Sequence, residues 1–568
     1  MERRANRRIR ALLAGFAVLF ALTLGRAAYL QVVEGPSYET LAEQQHVETI
    51  ELPAARGTIF DRTGKPLAIG EQATTVYADP QHVVNPKRAA IVTGKVLGLD
   101  PDDVYRLLAD RSKGFVYLQR KADPIRAAKL ERKKIPGIGF YGEERRIYPQ
   151  RTVASHVLGY AGTDNRGLEG LEKALDKQLA GRAGSERVIR DPFGRAIDVV
   201  TSRPERGGRN VVLTLDNQIQ ATAERMLTDA VRRWGARGAT AIVLDPRTGA
   251  ILALANAPTF DANRFASAAP DARRNRAVTD IYEPGSTFKI VTIAAALEDR
   301  VVTPTTSFVL APTIKVADRT IHEAHSRPTE QMSVRRILYE SSNVGTITIA
   351  ERLGAGELAT WIDRFGFGKQ TGLGSLGESP GLVLPVDQWS GSTIGTVPIG
   401  QGIAVTPMQM VSAYAAIGNS GVRETPHLVA KVGGRKVSPR PPKRIVSRQT
   451  ANKMMSMFRD VVVEGTGTEA AIPGYTVAGK TGTAQKAENG RYVRKYVASF
   501  VGLVPARQPR LAILVMVDEP RGAIWGGVVA APVFRDLARF SLQYLEVPPD
   551  APETKRSALV AMGAGTIR

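Results

Sequence analysis

The chain has 568 residues, 43% hydrophobic and 23% charged. That balance suits roughly two to four globular domains and excludes a wholly disordered chain, a collagen or a polytopic transporter. Lys+Arg 77 against Asp+Glu 55 leaves a formal charge of +22, which favours an anionic neighbour such as lipid headgroups, an acidic polymer or nucleic acid. Cysteine is absent and histidines number 6, so disulfides, thiolate metal sites and a cysteine nucleophile are excluded and a histidine-rich metal site is not expected.

Residues 1–10 read MERRANRRIR. An apolar run follows over 11–33, interrupted once by Arg26. At 1.5 Å per residue it spans about 30 Å, the thickness of a bilayer's hydrocarbon. Arg26 can snorkel to the interface and Tyr29 sits at the aromatic belt. The leading arginines keep the N-terminus in the cytoplasm. The expected layout is a cytoplasmic tail (1–10), a single transmembrane anchor (11–33) in the cytoplasmic membrane, and an extracytoplasmic bulk. The competing reading is a cleaved signal peptide with Gly25-Arg26-Ala27 as its small-x-small site, which the arginine disfavours.

Residues 34–205 are mixed and highly charged, with strand-like pieces at 47–52 and 74–78 and a turn at Asp61-Arg62-Thr63-Gly64. Arg56 and Asp61 are expected to pair within this module and to serve coupling to partners rather than chemistry. A helix is expected from Gly167 to Leu179, stopped by Gly181, and a linker over 202–209. From Asn210 the texture becomes α+β: a strand at 211–215, a helix at 217–234, then strand, tight turn and strand over 240–255. His322-Glu-Ala-His325 is one residue short of the zinc-protease spacing and reads as a solvated loop. Residues 546–568 read as a flexible tail.

Three short motifs carry the chemistry. In the first, Ser286-Thr-Phe-Lys289, Pro284 and Gly285 precede a buried apolar helix over 290–297. Positions i and i+3 share a helix face, so Lys289 can lie beside the Ser286 hydroxyl. A serine needs a neighbouring base to become a nucleophile, and a lysine is a base once burial lowers its pKa. In the second, Ser341-Ser-Asn343, a hydroxyl at Ser341 can relay a proton and Asn343 can orient Lys289 or a substrate carbonyl; alone it reads equally as a helix cap. The third, Lys480-Thr-Gly-Thr483, lies in an edge strand over 475–484 whose alternation puts Lys480 and Gly482 on one face, Thr481 and Thr483 on the other. Lysine and threonine hydroxyls suit a carboxylate, Gly482 permits close approach of a ligand, and an N–H beside Thr483 offers half an oxyanion hole. The same stretch, Gly474-Tyr-Thr-Val-Ala-Gly-Lys-Thr481, spells a P-loop. A P-loop must open a helix, whereas here a hairpin signal and a second strand follow.

Together and in this order, the motifs resemble those of the penicillin-recognising serine acyltransferases. The length, the anchor and the stretches Ala55–Ala68, Tyr148-Pro149, His156–Tyr160 and Gly167–Glu172 are similar to class B penicillin-binding proteins, and Gly400–Gln409 to their division type. The middle motif carries Ser342 where β-lactamases usually have Asp, and no deacylating glutamate is evident. The resemblance implies an α+β fold: the transmembrane helix, an elongated α/β pedestal of dimerisation type over 34–205, a β-lactamase-like transpeptidase domain over 206–545 with an antiparallel sheet and helices on both sides, then the tail. It implies a peptidoglycan D,D-transpeptidase in septal wall synthesis, acylated by β-lactams. Ser286 would be nucleophile and Lys289 general base; Ser341 and Asn343 would relay and orient; Lys480, Thr481, Gly482 and Thr483 would bind substrate. No cofactor or metal is implied. Expected partners are stem peptides on the lipid-linked precursor, β-lactams, the membrane, a polytopic glycosyltransferase and other division proteins, with no nucleic acid. An elongation-type enzyme, a β-lactam sensor or hydrolase, and a catalytically silent division scaffold are the alternatives.

Overall fold

The computed structural model describes residues 2–34, 47–190, 196–488 and 490–551. Two units form: Met1–Ala55 with Gly181–Gly208, and Arg56–Ala180 with Arg209–Arg568. In the first unit, helix α1 (Glu2–Val32) holds a stretch, Asn6–Val32, long and apolar enough to cross a membrane. Strands Val47–Leu52, Gly184–Arg190 and Ala196–Arg203 form an antiparallel sheet. The last of these takes in Ser202 and Arg203, so the expected linker begins two residues later than its composition suggested.

The second unit opens with strands β1 (Ile59–Phe60) and β2 (Pro66–Ala78). Helices α2 (Pro86–Leu97), α3 (Pro101–Ala109) and α4 (Pro124–Glu131) follow, with strands β3 (Val116–Ala122) and β4 (Ile138–Ile147) among them. Each helix starts at an Asx-Pro pair: the side chains of Asn85, Asp100 and Asp123 accept from backbone N–H groups of the first turn, while the proline ahead has no N–H to satisfy. Val76, Leu97, Leu108, Leu118 and Leu130 close a core of their own here. The helix expected over 167–179 is two short ones, Gly170–Ala174 and Asp176–Leu179.

Strand β5 (Val211–Leu213) pairs in parallel with β1 and antiparallel with Val429–Val432. One seven-stranded sheet thus draws strands from both sides of the expected 205/206 division, and residues 56–180 share a compact unit with 209–551. Arg56 does not pair with Asp61. Its guanidinium bonds the Glu172 carboxylate at 2.7 Å and Asp176 at 2.8 Å, and Glu172 also accepts from Arg146 Nε at 2.7 Å. Four residues, two of them strand β1, separate Arg56 from Asp61. Asp61 instead caps its own turn at Thr63 and Lys65 and accepts from the Asn217 N–H.

Helix α5 (Asn217–Trp234) leads into β6 (Gly238–Leu244) and β7 (Ile251–Ala257). Further on come α6 (Lys289–Glu298), α7 (Asn343–Leu353), α8 (Pro407–Gly418), α9 (Arg448–Val463), β8 (Ala478–Glu488), β9 (Arg491–Val504), β10 (Leu511–Asp518) and α10 (Ala531–Tyr544). The central sheet is antiparallel in the order β7-β6-β10-β9-β8. Its strands are apolar on both faces because helices cover both. Ala241, Val243, Ile513 and Val515 pack with Ile219, Leu227, Phe534 and Leu537 of α5 and α10. Ile242, Leu244, Leu514 and Met516 share the other core with residues of α6, α8 and α9. The expected tail is docked at its start: Tyr475 Oη donates to Val547 O at 2.7 Å and Asp550 accepts from the Thr476 N–H at 2.6 Å. Residues 552–568 lie outside the described residues.

Candidate active site

Residues Gly285–Phe288 form a 3-10 turn that runs into α6. Ser286 was expected in the first turn of the α-helix; it lies just ahead of it, in the 3-10 turn that Gly285 opens at φ +54°. Every residue from Lys289 to Leu297 is buried, so α6 is a core helix and carries the Lys289 amine into the interior with it. The turn is pinned on three sides. Tyr414 Oη donates to Thr287 O at 2.8 Å, and Gly285 N–H donates to Gly400 O at 3.1 Å. A Cβ on Gly482 would come 2.9 Å from Thr287 Cγ2 and 3.0 Å from Pro284 O. Gly482 thus gives room to the nucleophile's turn.

The second motif divides its labour. Ser342 is the cap of α7, accepting from the Gly345 N–H at 2.9 Å. Ser341, at φ +62°, points its polar groups the other way. Lys289 Nζ donates to Ser341 O at 2.7 Å and to Asn343 Oδ1 at 2.9 Å, and lies 3.3 Å from Ser341 Oγ. Lys480 Nζ reaches the same hydroxyl at 2.9 Å. Ser341 Oγ therefore bridges two amines, both 0% exposed. Burial pulls Lys289 down to about 7, with Glu323 opposing and Arg327 assisting. Lys480 is held well below the usual lysine range, by burial first and by Lys289 second.

The third motif lies on β8, the edge strand of the central sheet, and β8 runs on into β9 with no helix, so the P-loop spelling has no P-loop structure. Thr481 and Thr483 face a cleft of about 480 Å³ together with Ser286, Ser341 and Asn343. Thr481 Oγ1 is hydrogen-bonded to Thr466 Oγ1 at 2.6 Å, and Thr483 Oγ1 accepts from the Gly526 N–H at 3.1 Å. Lys480 lies behind Ser341 and does not line the cleft. Its amine reaches two cleft-lining hydroxyls, Ser341 Oγ at 2.9 Å and Thr481 Oγ1 at 3.3 Å. Among the described residues the Ser286 hydroxyl makes no hydrogen bond within the chain, and it faces the cleft half-buried.

Glu323 was passed over as part of a solvated loop. Its side chain is 6% exposed, and its carboxylate accepts from the N–H groups of Asn343 (2.8 Å) and Val344 (3.1 Å) and from Ser342 Oγ (2.7 Å). It is also ion-paired with Arg327. A carboxylate at the start of α7 satisfies unbonded donors and complements the helix dipole, which fixes the loop that presents Ser341 and Asn343. The short hairpin Thr313–Val316/Arg319–His322 brings it there. Gln401, Thr466 and Trp525 also line the cleft without a local signal in the sequence.

Comparison with known proteins agrees with this arrangement. The penicillin binding protein transpeptidase domain family matches residues 239–539, and the penicillin-binding protein dimerisation domain family matches 51–213. The peptidoglycan D,D-transpeptidase FtsI of Escherichia coli K12 is 34% identical, over 98% of this chain and 95% of its own. The probable peptidoglycan D,D-transpeptidase PenA of Neisseria gonorrhoeae is 36% identical, over 97% and 95%. Penicillin binding protein 3 of Mycobacterium tuberculosis, solved with aztreonam, superposes with a TM-score of 0.69 at 32% identity, over 89% of this chain and 99% of that one. A serine, two buried lysines joined through a second serine, and a threonine-lined cleft thus stand on a chain that belongs, along nearly its whole length, to the class B penicillin-binding proteins of the FtsI type.

Proposed function

We propose that this chain is a membrane-anchored peptidoglycan D,D-transpeptidase of septal wall synthesis. The observation that carries the chemistry is the hydrogen bonding of Lys289. A neutral amine has two N–H groups and one lone pair. Ser341 O and Asn343 Oδ1 take the two N–H groups at 2.7 and 2.9 Å, and burial that brings the amine to about 7 keeps it substantially neutral at physiological pH. The lone pair is left to accept the Ser286 proton as the hydroxyl attacks the penultimate D-Ala carbonyl. Ser341 Oγ, between the two amines, passes that proton to the departing D-Ala nitrogen. Thr481 and Thr483 hold the substrate's terminal carboxylate, and Lys480 orients the Ser341 and Thr481 hydroxyls by donating to both. An amine of a second stem peptide then resolves the acyl-enzyme. β-Lactams enter as donor mimics.

The similarity to FtsI and PenA along the whole chain supports this reading, as does the Gly400–Gln409 segment, whose Gly400 carbonyl holds the nucleophile's turn. α1 supplies the anchor, with the N-terminus inside and the bulk outside as its arginines dictate. The donor stem peptide is carried by the lipid-linked precursor or its polymer, and a polytopic glycosyltransferase and other division proteins are the proposed partners. The test is a reaction of the full-length chain with polymer bearing pentapeptide stems. The wild type should release D-Ala and form cross-linked muropeptides, and Ser286→Ala should do neither. Release of D-Ala without any cross-linked product would show a hydrolase instead.

A further inference from the structure

A second cavity, of about 490 Å³, lies where the C-terminal end of α8, α9, the β9–β10 loop and the turn after β6 meet. It shares no lining residue with the catalytic cleft. Arg247, Arg459, Arg507 and Arg510 converge on it, and Asn452 and Gln508 add amide donors. The carboxylates nearest in sequence are engaged elsewhere or at its edge: Asp460 with Arg335, and Asp245 with Arg247 at 2.8 Å. Among the described residues, the side chains of Arg459, Arg507, Arg510, Asn452 and Gln508 have no hydrogen bond or ion pair within the chain.

Arg459, Arg507 and Arg510 are exposed around the cavity's mouth, and like charges gathered around one concavity raise the positive potential within it. Each guanidinium offers a planar fork of donors that matches an oxyanion bidentately. Three uncompensated forks and two amides are more donors than one carboxylate needs. They suit a phosphate, or a diphosphate with its larger number of acceptor oxygens.

We propose that this cavity is a binding site for a phosphate-bearing anion, separate from the transpeptidase cleft. The ligand is either a soluble phosphate or diphosphate, or the anionic headgroup of a lipid; both present the same oxyanion to the same arginines.

The test is calorimetric titration of the detergent-solubilised full-length chain with inorganic pyrophosphate. A parallel arm uses short-chain phosphatidylglycerol, with phosphatidylcholine of equal chain length as its neutral control. The variants are Arg507→Ala/Arg510→Ala and the milder Arg459→Gln. Arg132→Ala/Lys133→Ala removes equal charge from the exposed surface away from the cavity. Saturable wild-type binding, weakened about tenfold or more by Arg507→Ala/Arg510→Ala and unchanged by Arg132→Ala/Lys133→Ala, is expected. Penicillin acylation and melting temperature should match wild type throughout. Binding of pyrophosphate identifies a soluble ligand, and binding of phosphatidylglycerol alone identifies a headgroup; both support the site. No binding in either arm overturns the proposal. So does equal loss in the cavity and surface variants, which would show only net charge at work.

Discussion

Lys289 sets the pH dependence. Its folded pKa, about 7, lies below its ordinary value of 10.5 because the amine is buried. Below about pH 7 the amine is protonated and has no lone pair for the Ser286 proton. The rate of acylation by a penicillin should therefore fall with a one-proton limb as pH drops through about 7; a flat rate from about pH 5 to about pH 9 would refute Lys289 as base. Glu323 raises the Lys289 pKa and Arg327 lowers it, so Glu323→Gln leaves Arg327 unopposed. The limb should move to lower pH, and the plateau should drop as the start of α7 loses its charged anchor. A limb that stays in place or moves upward would show that Glu323 is only structural. Ser286, Lys289, Ser341 and Asn343 were legible because each motif packs its chemistry into four residues or fewer. Glu323 was not, because its partners at the start of α7 are 19 to 21 residues away and its own neighbourhood, His-Glu-Ala-His, reads as hydrophilic.

At the scale of elements, the active site is a stack of close approaches: the 285–288 turn against Gly400 on one side and β8 on the other. Gly482→Ala would place a methyl 2.5 Å from Ser499 Oγ and 3.0 Å from Pro284 O. It should cost about 1–3 kcal/mol of stability and slow acylation about tenfold or more by displacing Ser286, read from chemical denaturation and labelling kinetics. Wild-type acylation with unchanged stability would show that β8 does not position the turn. Alternation along β8 correctly separated Lys480 from Thr481. What it could not give was depth: Lys480 is fully buried, and it reaches the site through the Ser341 and Thr481 hydroxyls rather than across open cleft. Helix 217–234 and strand 240–244 were legible from periodicity and composition, while the strand at 74–78 was read short because the charge at Glu71 interrupts its pattern.

At the scale of the molecule, the catalytic half and residues 56–180 are tied by buried polar groups as well as by a shared sheet. Glu224 on α5 accepts from the Ala154 N–H at 2.9 Å and from Gln220 Nε2 at 2.8 Å, and burial raises it to about 7 from 4.5. Its folded pKa exceeds the unfolded value, so its contribution to stability is complete below about 4.5 and is lost as pH rises through about 7. Glu224→Gln retains an acceptor oxygen for both bonds and cannot ionise. Its melting temperature should exceed the wild type's above about pH 7 and converge with it in acid; the opposite order would contradict the assignment.

Arg56→Ala leaves Glu172 paired with Arg146 alone and removes the guanidinium's bonds to Asp176 and to the carbonyls of Asn165 and Glu172, which should cost about 1–3 kcal/mol. The folded fraction should still be acylated at the wild-type rate, since the Arg56 cluster shares no residue with the cleft. Loss of acylation in folded Arg56→Ala would link that cluster to the chemistry. The Arg56–Asp61 expectation failed for a reason sequence alone conceals: Glu172 and Asp176, 116 and 120 residues away, become neighbours of Arg56 only through the fold.

The most direct measurement is labelling of the purified chain by a fluorescent penicillin, followed over time for wild type, Ser286→Ala and Lys289→Ala. A wild-type label that persists, its absence in Ser286→Ala, and labelling slowed by orders of magnitude in Lys289→Ala are expected. A label on Ser286→Ala, or a wild-type label that decays within minutes, would contradict the assignment of a transpeptidase built on Ser286.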